Sequence, residues 1–287
     1  MKKPLLYETG LILLTQALAL VTGYRMLNTL VSIDGKMVGL REATIMADTG
    51  SGIAFFITAI AISTLLIILL IKYLKKAIFF KGLFAYLILI GSDTVFGFLL
   101  GEPIGIVLAA LMVALRFLKP IVAVQNLVLM IALAGVSAQL AMFFNTPTLI
   151  LVLIAASIYD YIAVFKTKHM VKMFKGMMKQ GVVLAMVIPT KGKFTDTVEG
   201  SITMKSEKKE TRHMFIGSGD IAFPSILAVS VFAEYSLACA MAVMLGSLAG
   251  LLFDHIWVER NKRPMPALPA ITFFSLLALG LAKLGGF

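Results

Sequence analysis

The sequence predicts an all-α polytopic membrane protein with nine transmembrane helices. The chain has 287 residues, of which 60% are hydrophobic and only 14% are charged, whereas a soluble domain carries about 25% charged residues. Its mean hydropathy is +0.97, and the apolar residues fall in blocks of about twenty, the length that a helix needs to cross the hydrocarbon core. No block alternates in the way that a membrane barrel strand does. These observations exclude a single soluble core.

Nine apolar blocks are the candidate spans. They cover residues 10–28, 51–71, 78–100, 103–118, 121–143, 147–165, 214–233, 236–253 and 266–284. The fourth block is the shortest. The spans divide the chain into residues 1–165 with helices one to six, a loop at 166–213, and residues 214–287 with helices seven to nine.

The distribution of lysine and arginine orients these spans. If the N-terminus is inside, all but four of the 26 basic residues fall in inside segments, the exceptions being Arg25, Lys36, Arg41 and Lys283. Basic residues collect on the cytoplasmic side of a membrane, so we expect a cytoplasmic N-terminus, an outside C-terminus and a multi-pass protein of the cell membrane. The basic residues of these inside loops account for the net charge of +11. We therefore expect the protein to contact the lipid bilayer and not to bind nucleic acid.

The 166–213 loop contains three kinds of sequence. Residues 166–179 interleave basic and apolar side chains, which predicts an amphipathic helix along the membrane surface. Residues 182–188 are a short β-prone run that ends at Pro189 and favours a strand. Residues 190–210 are polar and predict a flexible segment.

Three aspartates lie well inside the predicted spans, where an ionisable side chain is a functional candidate. Asp160 lies five residues before Phe165 at the inside end of span six, and Asp220 lies six residues after Met214 at the inside end of span seven. At a rise of about 1.5 Å per residue, both lie roughly 8–9 Å below the cytoplasmic boundary. Asp93 lies nearer the outside end of span three, and its simpler interpretation is a structural polar contact or a water-lined position.

Two carboxylates at one level of a membrane favour acid–base chemistry. Both cannot ionise cheaply in a low dielectric, so the pair shares a proton and titrates as a unit. The ionised partner takes a proton from water while the protonated one polarises a peptide carbonyl, which suits peptide hydrolysis. A structural or ion-coupling acid pair, as in transporters, explains the depth equally well.

The sequence around each aspartate favours hydrolysis. Gly217-Ser218-Gly219 directly precedes Asp220, and such small residues let another helix approach closely. Tyr159 precedes Asp160 and has a hydroxyl for the pair, for a substrate or for an interfacial aromatic belt. Pro266-Ala267-Leu268 opens the last span, either as a simple helix entry or as an extended segment beside the aspartates.

Together these elements resemble the presenilin and signal peptide peptidase family of intramembrane aspartyl proteases. The matching residues are Tyr159-Asp160 in span six, Gly217-Ser218-Gly219-Asp220 in span seven and Pro266-Ala267-Leu268 at the start of span nine. The number of spans and the long loop between the two aspartate helices match as well. The small size is similar to that of an archaeal presenilin homologue.

The resemblance implies that Asp160 and Asp220 are the catalytic pair and that the Pro-Ala-Leu segment shapes the active site. It implies transmembrane-helix substrates that unwind locally and whose exposed backbone needs partners. We expect residues 182–188 or the Pro266 segment to supply an edge for β-pairing. The cytoplasmic 166–213 loop matches presenilins, whereas signal peptide peptidases have the opposite topology, so substrates with an outside N-terminus are expected.

Other chemistries fit less well. The three histidines, His169, His213 and His255, lie near the inside surface or in loops and form no His-Glu-x-x-His motif, so no metal and no cofactor is expected. No intramembrane histidine is available to activate a serine. The alternative from another class is an ion-coupled transporter or channel that uses the intramembrane aspartates.

Overall fold

The structure is a computed structural model of the chain. It describes residues 2–33, 36–44, 54–55, 58, 62, 77–163, 165, 183–189, 193–198, 213–261 and 265–286. Almost all of the second predicted span, and the whole predicted amphipathic segment 166–179, lie outside the described residues. The expectations for those two segments stay predictions.

The described residues form nine helices and four short strands. In chain order they are α1 (Lys2–Leu27), β1 (Leu30–Ile33), β2 (Lys36–Gly39), α2 (Leu40–Thr44), α3 (Ala77–Leu100), α4 (Ile104–Leu118), α5 (Val122–Phe143), α6 (Thr146–Ile162), β3 (Ala185–Pro189), β4 (His213–Gly217), α7 (Ser218–Glu234), α8 (Leu237–Asn261) and α9 (Ala267–Leu284). The strands form two antiparallel pairs, β1 with β2 and β3 with β4.

The helices confirm the predicted helical fold class, but they do not establish the predicted number of nine spans. Within the described residues, five helices (α1, α3, α5, α8 and α9) are long and apolar enough to cross a membrane, and α4 and α6 are shorter apolar helices. The protein is therefore mostly helical, with several candidate spans. The number of crossings and the orientation of the chain stay predictions.

Two predicted span boundaries are wrong, for different reasons. The predicted span 214–233 begins in the strand β4 and becomes helical only at Ser218, because an apolar run has the same composition in a buried strand as in a helix. The predicted span 236–253 continues as a helix to Asn261. Its hydropathy falls where the helix leaves the apolar region, but the backbone hydrogen bonds continue through the polar residues.

Helix α5 lies at the centre of the fold, and two glycines bring it close to α3. A Cβ atom added to Gly91 would collide with the carbonyl group of Ala132, and one added to Gly135 would collide with the carbonyl group of Gly91. Small residues at such crossings let helix backbones touch within a membrane protein. The apolar core around α5 includes side chains of α1, α3 and α7.

The strand pair β3–β4 is attached to α5 by two buried amides. Asn126 Nδ2 donates to the Val187 carbonyl oxygen at 2.7 Å, and the Val187 N–H donates to Asn126 Oδ1 at 2.8 Å. Gln125 Nε2 donates to the Val183 carbonyl oxygen at 2.7 Å. The side chain of Asn126 thus pairs with β3 as a neighbouring strand would. Because β4 runs directly into α7, these amides also fix the entry to α7.

The short segment 193–198 packs against the start of α5. The N–H groups of Val122 and Ala123 donate to the carbonyl oxygens of Asp196 and Phe194, at 3.0 and 2.9 Å. The first amides of a helix need such partners because they have none within the helix. Within the segment 190–210, for which flexibility is predicted, residues 193–198 therefore have backbone partners on α5, and the flexibility itself stays a prediction.

Candidate active site

Asp160 and Asp220 lie at the meeting ends of two helices that follow each other in the chain. Asp160 is in the last turn of α6, and Asp220 is in the first turn of α7. The two carboxylates lie within range of a direct electrostatic interaction. The structure therefore brings together the two acids that the sequence places at one depth.

Asp220 is held by the turn that precedes it. Gly217 is the N-cap of α7 and has an extended backbone, with φ −60° and ψ 137°. Its backbone N–H donates a hydrogen bond to the Asp220 carboxylate, and a Cβ atom at Gly217 would lie 3.0 Å from Asp220 Oδ2. A larger residue at Gly217 would therefore crowd the carboxylate. A Cβ atom at Gly219 would meet only the Phe223 ring, at 3.7 Å, which is an ordinary contact.

Pro224 loosens the same turn, and the sequence analysis missed it. It lies inside α7, four residues after Asp220. Because proline has no N–H, the carbonyl oxygen of Asp220 lacks the helical hydrogen bond that residue 224 would otherwise donate. The spacing Asp-x-x-x-Pro is visible in the sequence and signals a helix that is weakened at the acid.

The Pro266 segment lies beside Asp160. Pro266 is buried and extended, with φ −68° and ψ 121°, and α9 begins at Ala267. The backbone N–H of Leu268 donates a hydrogen bond to the Asp160 carboxylate. One turn earlier in α6, Ser157 Oγ lies 2.8 Å from the Thr272 hydroxyl of α9. The start of α9 is thus attached to α6 at two successive turns.

Tyr159 precedes Asp160 in α6 and has an exposed side chain. It is 61% exposed, and within the described ranges no hydrogen bond joins it to either aspartate. Its exposed position agrees with the interfacial aromatic role that the sequence analysis left open.

A third acid, Asp254, lies close to the pair and was missed by the sequence analysis. It interacts electrostatically with both Asp160 and Asp220. Its Oδ1 atom is buried without a hydrogen-bond partner among the described residues. The predicted eighth span ended one residue before it, whereas α8 continues past it. If the predicted eighth span had been extended by one helical turn, it would have included Asp254 at the inside end of the span, where Asp160 and Asp220 also lie.

Glu8 of α1 belongs to the same polar end of the bundle. It is only 2% exposed and interacts electrostatically with Asp254. Glu8 Oε2 lies 3.4 Å from Nδ1 of His255. The proximity of these residues is not visible in the sequence, because α1 and α8 are distant in the chain.

Asp93 is not part of this group. It lies on α3 and is half-buried, and its Oδ1 atom has no hydrogen-bond partner in the part of the chain that the structure describes. Within the same residues, no three His, Cys, Asp or Glu side chains are arranged to hold a metal ion. The arrangement at the α6–α7 junction can exchange protons through paired carboxylates, each with one backbone N–H donor.

Comparisons with known proteins identify a family and similar folds. The family model for signal-peptide peptidase and presenilin aspartyl protease matches residues 9–278. A presenilin family intramembrane aspartate protease, solved in space group C222, superposes with a TM-score of 0.64 at 21% identity, covering 97% of this chain and 96% of that one. A structure of a presenilin family intramembrane aspartate protease in space group P2 gives a TM-score of 0.67 at 21% identity and covers 98% of both chains. No curated protein sequence matches the chain.

The family match over residues 9–278 and the fold define an aspartic endopeptidase that works within the membrane. The chain belongs to the signal-peptide peptidase and presenilin aspartyl protease family. This membership confirms the resemblance seen in the sequence and the predicted activity of an intramembrane aspartyl protease. The transporter alternative finds no support in these comparisons.

Proposed function

We propose that Asp160 and Asp220 are the catalytic pair and that they hydrolyse peptide bonds within transmembrane helices of other proteins. The observation that carries this assignment is that the two carboxylates interact electrostatically where α6 ends and α7 begins. Each carboxylate also accepts one backbone N–H, from Leu268 and Gly217 respectively. These bonds orient the two side chains while leaving other oxygen lone pairs for water and substrate.

In this mechanism the pair holds one proton between its two carboxyl groups. The ionised carboxylate takes a proton from a water molecule as the water oxygen attacks the scissile carbonyl carbon, and the protonated carboxyl donates to the carbonyl oxygen. In the tetrahedral gem-diol intermediate, the carboxyl that took the proton from water donates it to the amide nitrogen, the other carboxylate takes a proton from a gem-diol hydroxyl, and the C–N bond breaks. The products are a new carboxyl terminus and a new amino terminus, and the pair again holds one proton.

The substrate strand needs backbone partners once its helix unwinds. Of the two segments expected to supply them, β3 is the less suitable, because the Asn126 side chain occupies both backbone groups of Val187. The extended residues at Pro266 remain the candidate edge, since they enter α9 beside Asp160. Tyr159, Gly217 and Gly219 complete the proposed active-site lining.

We further propose that the protein lies in the cell membrane as nine spans with a cytoplasmic N-terminus. The distribution of basic residues supports this orientation. The acids then face the cytoplasmic side, and substrates present their N-termini outside. A lysine-accessibility map that finds the 166–213 loop outside would overturn this orientation.

The first experiment is cleavage of a single-span substrate in liposomes by the wild type, Asp160→Asn and Asp220→Asn. We expect each variant to lose at least about 10⁴-fold in rate, because the two acids act as a unit. Asp93→Asn is the matched control and should cut at close to the wild-type rate. Mass spectrometry of the fragments measures the products, and cutting by either dyad variant would refute the assignment.

A further inference from the structure

The ends of α6 and α7 that lie far from the aspartates are joined by a polar cluster, here called the distal clasp and formed by Arg41, Thr146, Ser230 and Glu234. The Glu234 carboxylate accepts a hydrogen bond from the Thr146 N–H, with both oxygens at 3.1 Å. Arg41 Nη2 of the short helix α2 donates to Glu234 Oε1 at 2.6 Å. The clasp therefore fixes the last turn of α7 to the first turn of α6.

A second contact strengthens the clasp within the protein interior. The hydroxyls of Thr146 and Ser230 lie 3.1 Å apart and are fully buried. Burial lowers the pKa of the Arg41 guanidinium from its ordinary value and the Glu234 carboxylate raises it, and an arginine stays charged under such opposing influences. The Arg41–Glu234 bond is therefore charge-assisted and stronger than a neutral one.

The two aspartates lie at the same distance from the clasp. Asp160 follows Thr146 by fourteen residues in α6, and Asp220 precedes Glu234 by fourteen residues in α7. At 1.5 Å per residue, each acid lies about 21 Å along its helix from the clasp. If the angle between the two helices changes by about 5°, a point about 21 Å from the clasp moves by about 2 Å, so one acid moves by that distance relative to the other.

The acid ends of the two helices are held by different parts of the molecule. At that end α6 is bonded to α9 through Ser157 and Asp160. Helix α7 continues from β4, which pairs with β3 on the amides of α5. A small change in the angle between α6 and α7 therefore moves each acid together with its own bonded neighbours.

We propose that the distal clasp is a fixed pivot that limits the separation of Asp160 and Asp220 to a narrow range, with Arg41 and Glu234 as positioning residues. The proposal rests on the proposed function, in which those two acids are the catalytic pair. A displacement of about 1 Å at reacting groups costs about 10²-fold in rate. A loosened pivot therefore lowers kcat, while the substrate-contacting surfaces and hence KM change little.

The first test locks the clasp. Thr146→Cys and Ser230→Cys are combined with Cys239→Ala, which removes the one native cysteine. The two hydroxyl oxygens lie 3.1 Å apart, so cysteine sulfurs at the same two positions need only a small shift to reach the bond length of a disulfide. We expect the bond to form and the oxidised enzyme to keep at least half of its reduced activity. Failure of the bond to form, or loss of activity that a reductant restores, would overturn a fixed pivot.

The second test opens the clasp and needs no catalysis. Asp160→Cys and Asp220→Cys in the Cys239→Ala background are joined by thiol cross-linkers of graded length. When the clasp is intact, we expect only cross-linkers within a narrow range of lengths to join the two cysteines. When Glu234→Ala is added, we expect longer cross-linkers to join them as well. Glu42→Ala, an exposed acid on the same short helix as Arg41, is the control and should leave the range unchanged. An unchanged range with Glu234→Ala would refute the pivot.

Kinetics of Glu234→Ala and Arg41→Ala complete the test. We expect kcat to fall at least tenfold with KM within about twofold, and Glu234→Asp with its shorter carboxylate to recover part of the loss. A fall in thermal stability with unchanged kcat would assign the clasp a structural role only. If the wild type cleaves no substrate, the proposed function fails, while the cross-linking still decides whether the pivot exists.

Discussion

The two ends of the α6–α7 pair are held in opposite ways. At the distal end the helices bond directly to each other, through the Glu234 carboxylate, the Thr146 backbone and a pair of buried hydroxyls. At the acid end each helix bonds to a different neighbour, α6 to α9 and α7 to the strand pair on α5. The difference shows where the fold fixes the helix pair and where it leaves the distance between two acids adjustable.

The largest effect is expected from breaking the attachment of α7 at the acid end. Asn126→Leu has a similar volume but leaves the buried N–H and carbonyl of Val187 unpaired, at about 1–3 kcal/mol for each group. We expect a loss of about 2–5 kcal/mol in the free energy of unfolding and a fall in cleavage greater than tenfold. Thermal unfolding in detergent and the cleavage assay measure the two effects.

Leu127→Ala is the matched control for that variant, because Leu127 is the next residue of α5 and is exposed. It should change neither quantity appreciably. If Asn126→Leu lowers stability while the folded enzyme cuts at the wild-type rate, the strand pair does not position Asp220.

A smaller effect is expected from loosening α6 at the acid end. Ser157→Ala removes the hydroxyl that lies 2.8 Å from Thr272, but the Leu268 N–H bond to Asp160 remains. Hydrogen bonds between membrane helices contribute about 0.6 kcal/mol on average, so we expect little loss of stability and a threefold to tenfold fall in kcat. Measured kcat and Tm decide this, and a loss confined to Tm would contradict a role in orienting Asp160.

Pro224→Ala stiffens the acid end of α7, whereas the two preceding variants remove contacts at the acid ends. The alanine N–H can bond the Asp220 carbonyl oxygen, and removing a proline from a helix interior favours the helix by up to about 3 kcal/mol. We expect a higher Tm together with a severalfold lower kcat, because the turn that carries Asp220 becomes stiffer. An increase in both quantities would show that the looseness at Asp220 has no catalytic use.

The smallest effect is expected at the Thr146 side chain. Thr146→Val removes the hydroxyl contact with Ser230, while the backbone N–H of residue 146 can still donate to Glu234. We expect a loss of about 1 kcal/mol in stability and a change in kcat below twofold. A tenfold loss in kcat would move the centre of the clasp from Glu234 to the hydroxyl pair.

The sequence allowed the helical fold class and the acid pair to be predicted, because both depend on local signals. Intramembrane acids are rare and their depth follows from helical rise, so Asp160 and Asp220 stand out without any structure. The strand β3 was indicated by its β-prone run before Pro189. By contrast, β4 was hidden within an apolar block, because burial on both sides makes a strand and a helix equally apolar.

The remaining features depend on contacts between residues that are distant in the chain. In the sequence, Asn126 is an ordinary polar residue of a helix. Its role becomes visible only in the structure, where β3 lies beside it although β3 is about sixty residues later in the chain. Asp254 was excluded because a span boundary drawn from hydropathy ends before the helix does. The clasp joins Arg41 to Glu234 across almost two hundred residues, and no local pattern in a single sequence records such a pairing.

The amide of Asn126 has a consequence for how copies of this protein meet. An exposed strand edge is a template on which a strand of another chain can add, and repeated addition leads to aggregation. At Val187 a side chain of α5 takes the place of that incoming strand. The side chain of Asn126 on α5 therefore prevents a further strand from pairing with β3 at Val187.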